Sequence, residues 1–445
     1  MRTSIILLIF IALSLNTCRK NTTSFDRYTI KLQSESVGVT EAWLRLSVQP
    51  LTSEDRFVVK RDTHYVFRGR LNSQDTIISD LDLKPSTTYG YTAYREAEGQ
   101  QAGKATTLDI TTMDTTSHDF EWDIYEFGAD SGGSSALYDV AIIDENDIWA
   151  VGEIHTSETD KWNEDSTKWI RPYNAVHWDG QEWELKYIYV DYRGKPNLAP
   201  LKGVFAMDDG KVIFSSGLPY LPTNNEWKLY HLWDMGILDE NDGGVDNIWG
   251  TSLSNLYFAG RKGTIVHYNG NSWQRIESGT TQSIRDIWGV KDSVSGSMNI
   301  IAIASNIYQG GEIKVLRIDR ESVINMSTAG LPWALDGIWF NKHHIYIGGD
   351  GLFKRNCIEC SAPWQLFDTD LTNYFSHAIR GDGINMVVAG AFGEIITYNG
   401  MTWKNHLSDT YMSPGSYYAV DVKANLIVAV GHKSYHGYIR IGRRF

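Results

Sequence analysis

Short apolar runs recur along the chain from residue 138 onward, each opening with a polar or aromatic residue. The strings YDVAIID, KGVFAMD, DNIWGTS, RDIWGVK, DGIWFNK, SHAIRGD and YAVDVKA place Asp139, Gly203, Asn247, Asp286, Gly337, His377 and Ala419 at matching positions. The spacings between them are 64, 44, 39, 51, 40 and 42 residues. A second apolar run follows in most units, as DIWAVG, NLYFAG, HIYIGG, MVVAGA and LIVAVG, and its small residues suit a crowded inner strand. A third motif is shared by AVHWDGQEW, GTIVHYNGNSW and GEIITYNGMTW. There an alternating segment meets Asp-Gly or Asn-Gly, two residues that tolerate the positive φ of a tight primed turn, and a Trp follows two residues later. Each unit therefore reads as four short strands, the third joined to the fourth by that turn. Trp183, Trp273, Trp364 and Trp403 open fourth strands, as does Trp227 or Trp233 in the second unit, while the fourth unit has no counterpart.

A period near forty residues with four strands per repeat is that of a β-propeller. Seven starts leave the last unit one strand short at Phe445, and FEWDIYEF, residues 120–127, supplies it from the other end of the repeat region. The expected architecture is thus all-β, a seven-bladed propeller over 119–445 whose last blade is completed by the domain's N-terminal strand, leaving no open edges. The D-[IV]-W-[AG]-V-G and Y-N-G-x-x-W strings resemble those of uncharacterised WD-repeat-like propellers of envelope lipoproteins, a likeness that implies an architecture more than an activity. The chain is also similar to sialidase-type propellers. However, their Asp-box turn is absent, since Asp179 abuts Gly180, and Arg440, Arg443 and Arg444 crowd one strand end instead of forming a triad.

Residues 25–112 alternate differently. In EAWLRLSV, Leu44, Leu46 and Val48 share one face and Trp43, Arg45 and Ser47 the other, at the strand spacing of a β-sandwich. Leu83, Pro85, Thr87 and Tyr89 in LKPSTTYGYTAY resemble the fibronectin type III signature, which implies that Tyr89 is a corner tyrosine with its hydroxyl tied to upstream backbone. At the N-terminus, Arg2 precedes an apolar run, residues 5–15, too short for a stable membrane span and suited to an export signal. Leu15-Asn16-Thr17-Cys18 resembles the lipobox of bacterial lipoproteins, with Thr17 where Gly, Ala or Ser is usual. The resemblance implies cleavage before Cys18, so that residues 1–18 hold the signal and its Cys, and lipidation of Cys18. An outer-membrane lipoprotein facing the periplasm or the cell surface follows.

Forty-one basic against 54 acidic side chains give a net charge of −13, which argues against nucleic acid as a partner. Cys357 and Cys360, in NCIEC, read as a local disulfide, because half a zinc site has no second pair. Asp239 and Asn241 occupy two positions of a calcium-like loop, but turn chemistry accounts for them. No phosphate loop, nucleophile elbow or zinc-helix motif is present, so no cofactor, metal or catalytic residue is assigned. Chemistry is expected on the long connections. The segment 155–173 carries Trp162, Trp169 and Tyr173 among Glu158, Asp160, Glu164 and Asp165; Tyr192, Arg193, Tyr220 and Tyr308 lie in other loops. Flat aromatics among polar groups suit sugar or peptide recognition. The expected function is non-catalytic binding of a glycan or envelope protein, with the lipid as the membrane contact. The alternative is a carbohydrate-active enzyme, a glycoside hydrolase or a glucosyl or glycosyl transferase, using carboxylates on the same face.

Overall fold

The computed structural model describes residues 28–129, 133–167, 169–224, 226–292, 296–358, 360–367 and 370–445; Cys18 and the apolar run 5–15 lie outside them. The chain forms two compact units, Met1–Asp114 and Thr115–Phe445. In the first, Thr29–Val37, Ala42–Gln49 and Asp75–Asp80 make one antiparallel sheet. His64–Gly69, Arg56–Arg61, Thr88–Ala97 and Gln100–Thr111 make a second. The alternation read from the sequence directs Leu44, Leu46 and Val48 into a core shared with Phe57, Val59 and Tyr91. The Tyr89 hydroxyl accepts a hydrogen bond from the Lys84 amide at 2.9 Å, fixing the chain where it enters Thr88–Ala97.

Among the described residues, the second unit contains seven four-stranded antiparallel sheets. Their first strands are Ala136–Asp144, Gly203–Ala206, Val245–Ser252, Ile284–Lys291, Leu335–Phe340, Ser376–Asp382 and Gly415–Lys423. The first six sheets are sequential meanders. The seventh takes Gly415–Lys423, Leu426–Lys433 and His436–Arg444, and its outer strand is Phe120–Phe127, paired with Arg440 opposite Ile124. Each first strand packs beside the next, and the last packs beside the first. This is a β-propeller.

The apolar runs are nearly continuous because each inner strand is buried on both faces. In Met298–Ala304, Ile300, Ala302 and Ala304 join a core shared with the third sheet, whereas Ile301 and Ile303 face the fifth. A separate apolar cluster fills each of the seven junctions, including the one between the seventh and first sheets. Glycine is required where a neighbouring ring lies flat on the strand. A Cβ at Gly289 would fall 2.4 Å from the Trp249 ring, and one at Gly381 would fall 2.5 Å from Trp339.

The Asp-Gly and Asn-Gly turns differ from the primed turns their sequence predicts. Only the glycines, Gly180, Gly270 and Gly400, take positive φ. The preceding side chain does the remaining work: Asn269 Oδ1 accepts from the amides of Asn271 and Ser272 at 3.0 and 2.9 Å. Asp179 and Asn399 bond in the same way. The Trp then opens the fourth strand at Trp183, Trp273 and Trp403; Trp227 opens its strand after a connection without Gly, and Trp364 lies one residue before its strand, Gln365–Leu366.

Ring closure can be tested by truncation. Residues before Phe120 also latch onto the sixth sheet, through Thr116 Oγ1 to Asn385 at 2.6 Å and His118 Nδ1 to Thr397 at 2.8 Å. A chain beginning at Thr115 should fold. One beginning at Asp119 should melt a few degrees lower, having lost several hydrogen bonds worth about 1 kcal/mol each. One beginning at Ser131 lacks the outer strand of the seventh sheet and should aggregate. Equal melting of all three by calorimetry would contradict the closure.

Candidate functional site

The first strands surround a cavity of about 810 Å³ along the axis of the propeller. Its floor and its mouth are built differently. Within the channel, short polar side chains bridge neighbouring strands. Asp139 Oδ2 accepts the Val204 amide at 2.9 Å, Asp286 Oδ2 that of Ile338 at 2.9 Å, and Asp421 Oδ2 that of Ile142 at 2.8 Å. Asn247 donates to the Ile284 carbonyl at 3.1 Å. Arg380, from the sixth sheet, reaches Asp286 of the fourth with two hydrogen bonds, 2.7 and 3.0 Å.

At the mouth, a β-bulge interrupts the first strand in six sheets, skipping Tyr138, Asp246, Arg285, Asp336, His377 and Tyr418. A bulge takes one residue out of the ladder and re-aims its side chain. In the second sheet Lys202 stands at the matching place, immediately before Gly203. All seven side chains line the cavity, one from each sheet. Going round the ring, Lys202 Nζ lies 3.3 Å from the centre of the Tyr138 ring. Asp246 pairs with Arg261 at 3.2 Å. Asp336 receives Arg285 at 2.6 Å and His377 at 2.7 Å. His377 meets Tyr418 edge-on at 6.0 Å, and Tyr418 stacks on Tyr138 at 6.3 Å and on His432 at 5.1 Å.

Electrostatics separates the two layers. Burial pushes the Asp139 carboxyl up to about 7, only partly offset by the amides it accepts and by Arg380, and it pushes Asp421 up to about 6. Burial also works against the charge of Arg380, but Asp286, Asp139 and Asp421 together outweigh it and hold the guanidinium charged. At the mouth, burial lowers Lys202 despite Asp246 and Glu153 nearby. Among the described residues, no group of three or more His, Cys, Asp or Glu is arranged to hold a metal ion.

The aromatic candidates divide. Trp162 and Trp169 form a cross-strand pair on the hairpin Lys161–Trp162 and Trp169–Ile170, edge to face at 5.8 Å, and are 56% and 44% exposed. Tyr308 is 86% exposed and lines the mouth. Tyr173 stacks on Tyr187 at 4.1 Å. Tyr192 lies against His231, and Arg193 pairs with Asp234 at 2.9 Å, which ties their hairpin down. Tyr220 must be withdrawn as a ligand contact. It is 2% exposed, inside the core between the first and second sheets, because PYLP is the third strand of its sheet and not part of a loop. Cys357 and Cys360 are joined as a disulfide with 5.7 Å between their Cα atoms. The ring itself was missed from sequence, although its residues open most of the repeat strings. In the sixth unit the matching landmark is Ala378, and His377 is the bulged residue before it.

No family model and no curated protein matches the chain. Among solved structures it is similar to the WD40 β-propeller domain of Doa1, at 14% identity over 73% of this chain and 97% of that one, with a TM-score of 0.49. It is also similar to the propeller of Dos1, at 12% identity over 72% and 95%, with a TM-score of 0.45.

The raised carboxyls make stability depend on pH. Folded Asp139 and Asp421 keep protons that the unfolded chain releases near 3.8, so their contribution falls as pH rises from about 4 to 7. His406, pushed down to about 4 by burial, works in the opposite direction below its ordinary value. A difference between variants isolates Asp139. Asp139→Asn keeps an acceptor for the Val204 amide and should gain in melting temperature relative to wild type as pH goes from 5 to 8. A constant difference across that range would show that Asp139 titrates normally.

Proposed function

We propose that the chain is an exported, lipid-anchored binding protein. A fibronectin type III-like sandwich leads to a seven-bladed propeller, and one end of that propeller recognises a glycan or protein of the envelope. The three- and four-stranded sheets and the tied Tyr89 hydroxyl support the sandwich reading, and the seven sheets support the blade number.

The observation that carries the binding reading is an asymmetry between the two ends. In a four-stranded meander, the connections from second to third strand and from fourth strand to the next sheet share one end. Trp162, Trp169, Tyr189, Tyr308, Trp333, Phe392, Tyr411 and Tyr435 are exposed, and each lies in a connection of that end. At the opposite end, the exposed large apolar side chains among the described residues are Met401 and the terminal Phe445. Scattered apolar exposure is ordinary, but aromatics gathered at one end mark an interaction face. A glycan is the better fit. Each Trp presents a flat surface beside polar groups, and burying about half of a ring is worth about 2 to 3 kcal/mol. Of the four acids an enzyme could use in this segment, two are engaged: Glu158 with Lys161 at 2.8 Å and Asp160 with His155 at 2.6 Å.

Two measurements test this reading. Replacing Trp162 and Trp169 together by Ala should abolish retention on envelope polysaccharide and leave the melting temperature nearly unchanged, since the hairpin lies outside the apolar junctions. Retention with lowered stability would assign the pair to the scaffold instead. Separately, Cys18→Ser should release the protein from the membrane fraction, because stable anchoring depends on the acyl chains attached there. A Ser variant that still sediments with membranes removes the lipoprotein assignment.

A further inference from the structure

The ring at the channel mouth is not uniformly satisfied. Arg285, Asp336 and His377 neutralise and hydrogen-bond one another. The sector contributed by the seventh, first and second sheets differs. The hydroxyls of Tyr138 and Tyr418 have no hydrogen-bond partner among the described residues, nor has the Lys202 ammonium an ion-pair partner there. The acids nearest Lys202 have their own bases: Asp246 lies 3.2 Å from Arg261, and Glu153 lies 3.6 Å from His155. The free groups are also held in place. Lys202 sits on one face of Tyr138, and the Tyr138–Tyr418–His432 stack keeps both phenols from turning away. Tyr308 hangs over the same mouth, within electrostatic reach of Arg285 and Tyr418. Below, the carboxylates of Asp139, Asp286 and Asp421 are engaged by amides and by Arg380. At the mouth, the cavity-lining groups without a partner among the described residues are therefore hydroxyls and one ammonium, whereas the exposed carboxylate of Asp208 lies past the other end of its strand.

We propose that this sector is a subsite for a sugar acid, a single carboxylate carried on a ring of hydroxyls, with Lys202 taking the carboxylate and Tyr138, Tyr418 and Tyr308 the hydroxyls. A phenol both donates and accepts, as a sugar hydroxyl does, so the pairing is reciprocal. An Asp or Glu side chain would satisfy the ammonium and leave the phenols facing methylenes. The cavity, at about 810 Å³, lies within the range of small-ligand pockets. The protein's net charge of −13 disfavours a polyanion and admits a single acid, such as a terminal uronate on an otherwise neutral glycan. The subsite rests on the glycan reading of the aromatic face. The hairpin bearing Trp162 and Trp169 springs from the first sheet, which also supplies Tyr138.

The full chain, in detergent, is titrated with D-glucuronate, D-glucose and N-acetylglutamate amide, and binding is followed by saturation-transfer NMR. Glucuronate should bind about tenfold more tightly than either of the others, the worth of one charge-assisted hydrogen bond. Lys202→Met should bring glucuronate down to the level of glucose without changing glucose, and Lys202→Arg should keep most of the preference. Lys202→Gln serves as the second variant should the Met chain melt early. Replacing Tyr138 and Tyr418 together by Phe should weaken both sugars. Undetectable glucuronate binding, equal affinity for glucuronate and glucose, or a preference that survives Lys202→Met overturns the subsite. Binding of N-acetylglutamate amide as tight as glucuronate overturns the sugar assignment in favour of an acidic peptide. The Trp162 and Trp169 double variant separates the two readings: if polysaccharide retention never depended on those rings while glucuronate still needs Lys202, the aromatic face fails and the mouth subsite stands.

Discussion

Every sheet of the propeller has two apolar faces, and the first and seventh sheets can bury both only if the ring closes. The strand Met298–Ala304 makes the point in five consecutive residues, Ile300 to Ala304, which turn alternately toward the third and the fifth sheets. An open ring would leave one face of the first sheet and one of the seventh in water. That junction is secured twice. Phe120–Phe127 completes the seventh sheet and packs Tyr125 and Phe127 against Trp178 and Trp183 of the first. On the axis, Asp421 takes the Ile142 amide across the same gap.

Closure determines what lies at the centre. Seven first strands brought side by side cannot continue one ladder, so side chains carry the links between them. Where the donor is a neighbouring backbone amide, a short carboxylate is the reach-matched acceptor, and Asp139, Asp286 and Asp421 use it. Three acids gathered in the channel would be costly without a cation. Arg380 answers them from across the channel and tethers the sixth sheet to the fourth, with Trp288 beneath its guanidinium. The raised carboxyls record how incomplete that compensation is.

The repeat was legible in the sequence because burial on both faces writes itself as unbroken apolar runs, and because Asp-Gly or Asn-Gly before Trp marks the same turn each time. The turn type was not legible. Asn269 and Asp179 act through their side chains, and the sequence signature is the same whether or not the first residue adopts positive φ. Tyr220 was misplaced for a related reason. The second sheet has short strands, Gly203–Ala206 and Val212–Ser215, and the prolines around Tyr220 read as loop. Trp162, Trp169 and Tyr308 could be read as exposed because they lie where the apolar period is interrupted. The mouth ring could not be read directly, since a bulge is a feature of pairing between strands and leaves no mark on either one alone.

The bulge also explains how one scaffold can hold different chemistry at each ring position. The residues just past it, Asp139, Asn247, Asp286, Gly337, Ala378 and Ala419, and Gly203 at the matching place in the second sheet, are all short, as they must be where strands crowd the axis. The skipped residues Tyr138, Asp246, Arg285, Asp336, His377 and Tyr418, with Lys202 at the matching place in the second sheet, share neither size nor charge. A side chain taken out of the ladder carries no register, and one aimed into the channel fills no junction between sheets. Variation there is therefore cheap for the fold. Stability resides in the seven apolar junctions, closure in Phe120–Phe127 and the Asp421 link, and selectivity is free to reside in the ring above them.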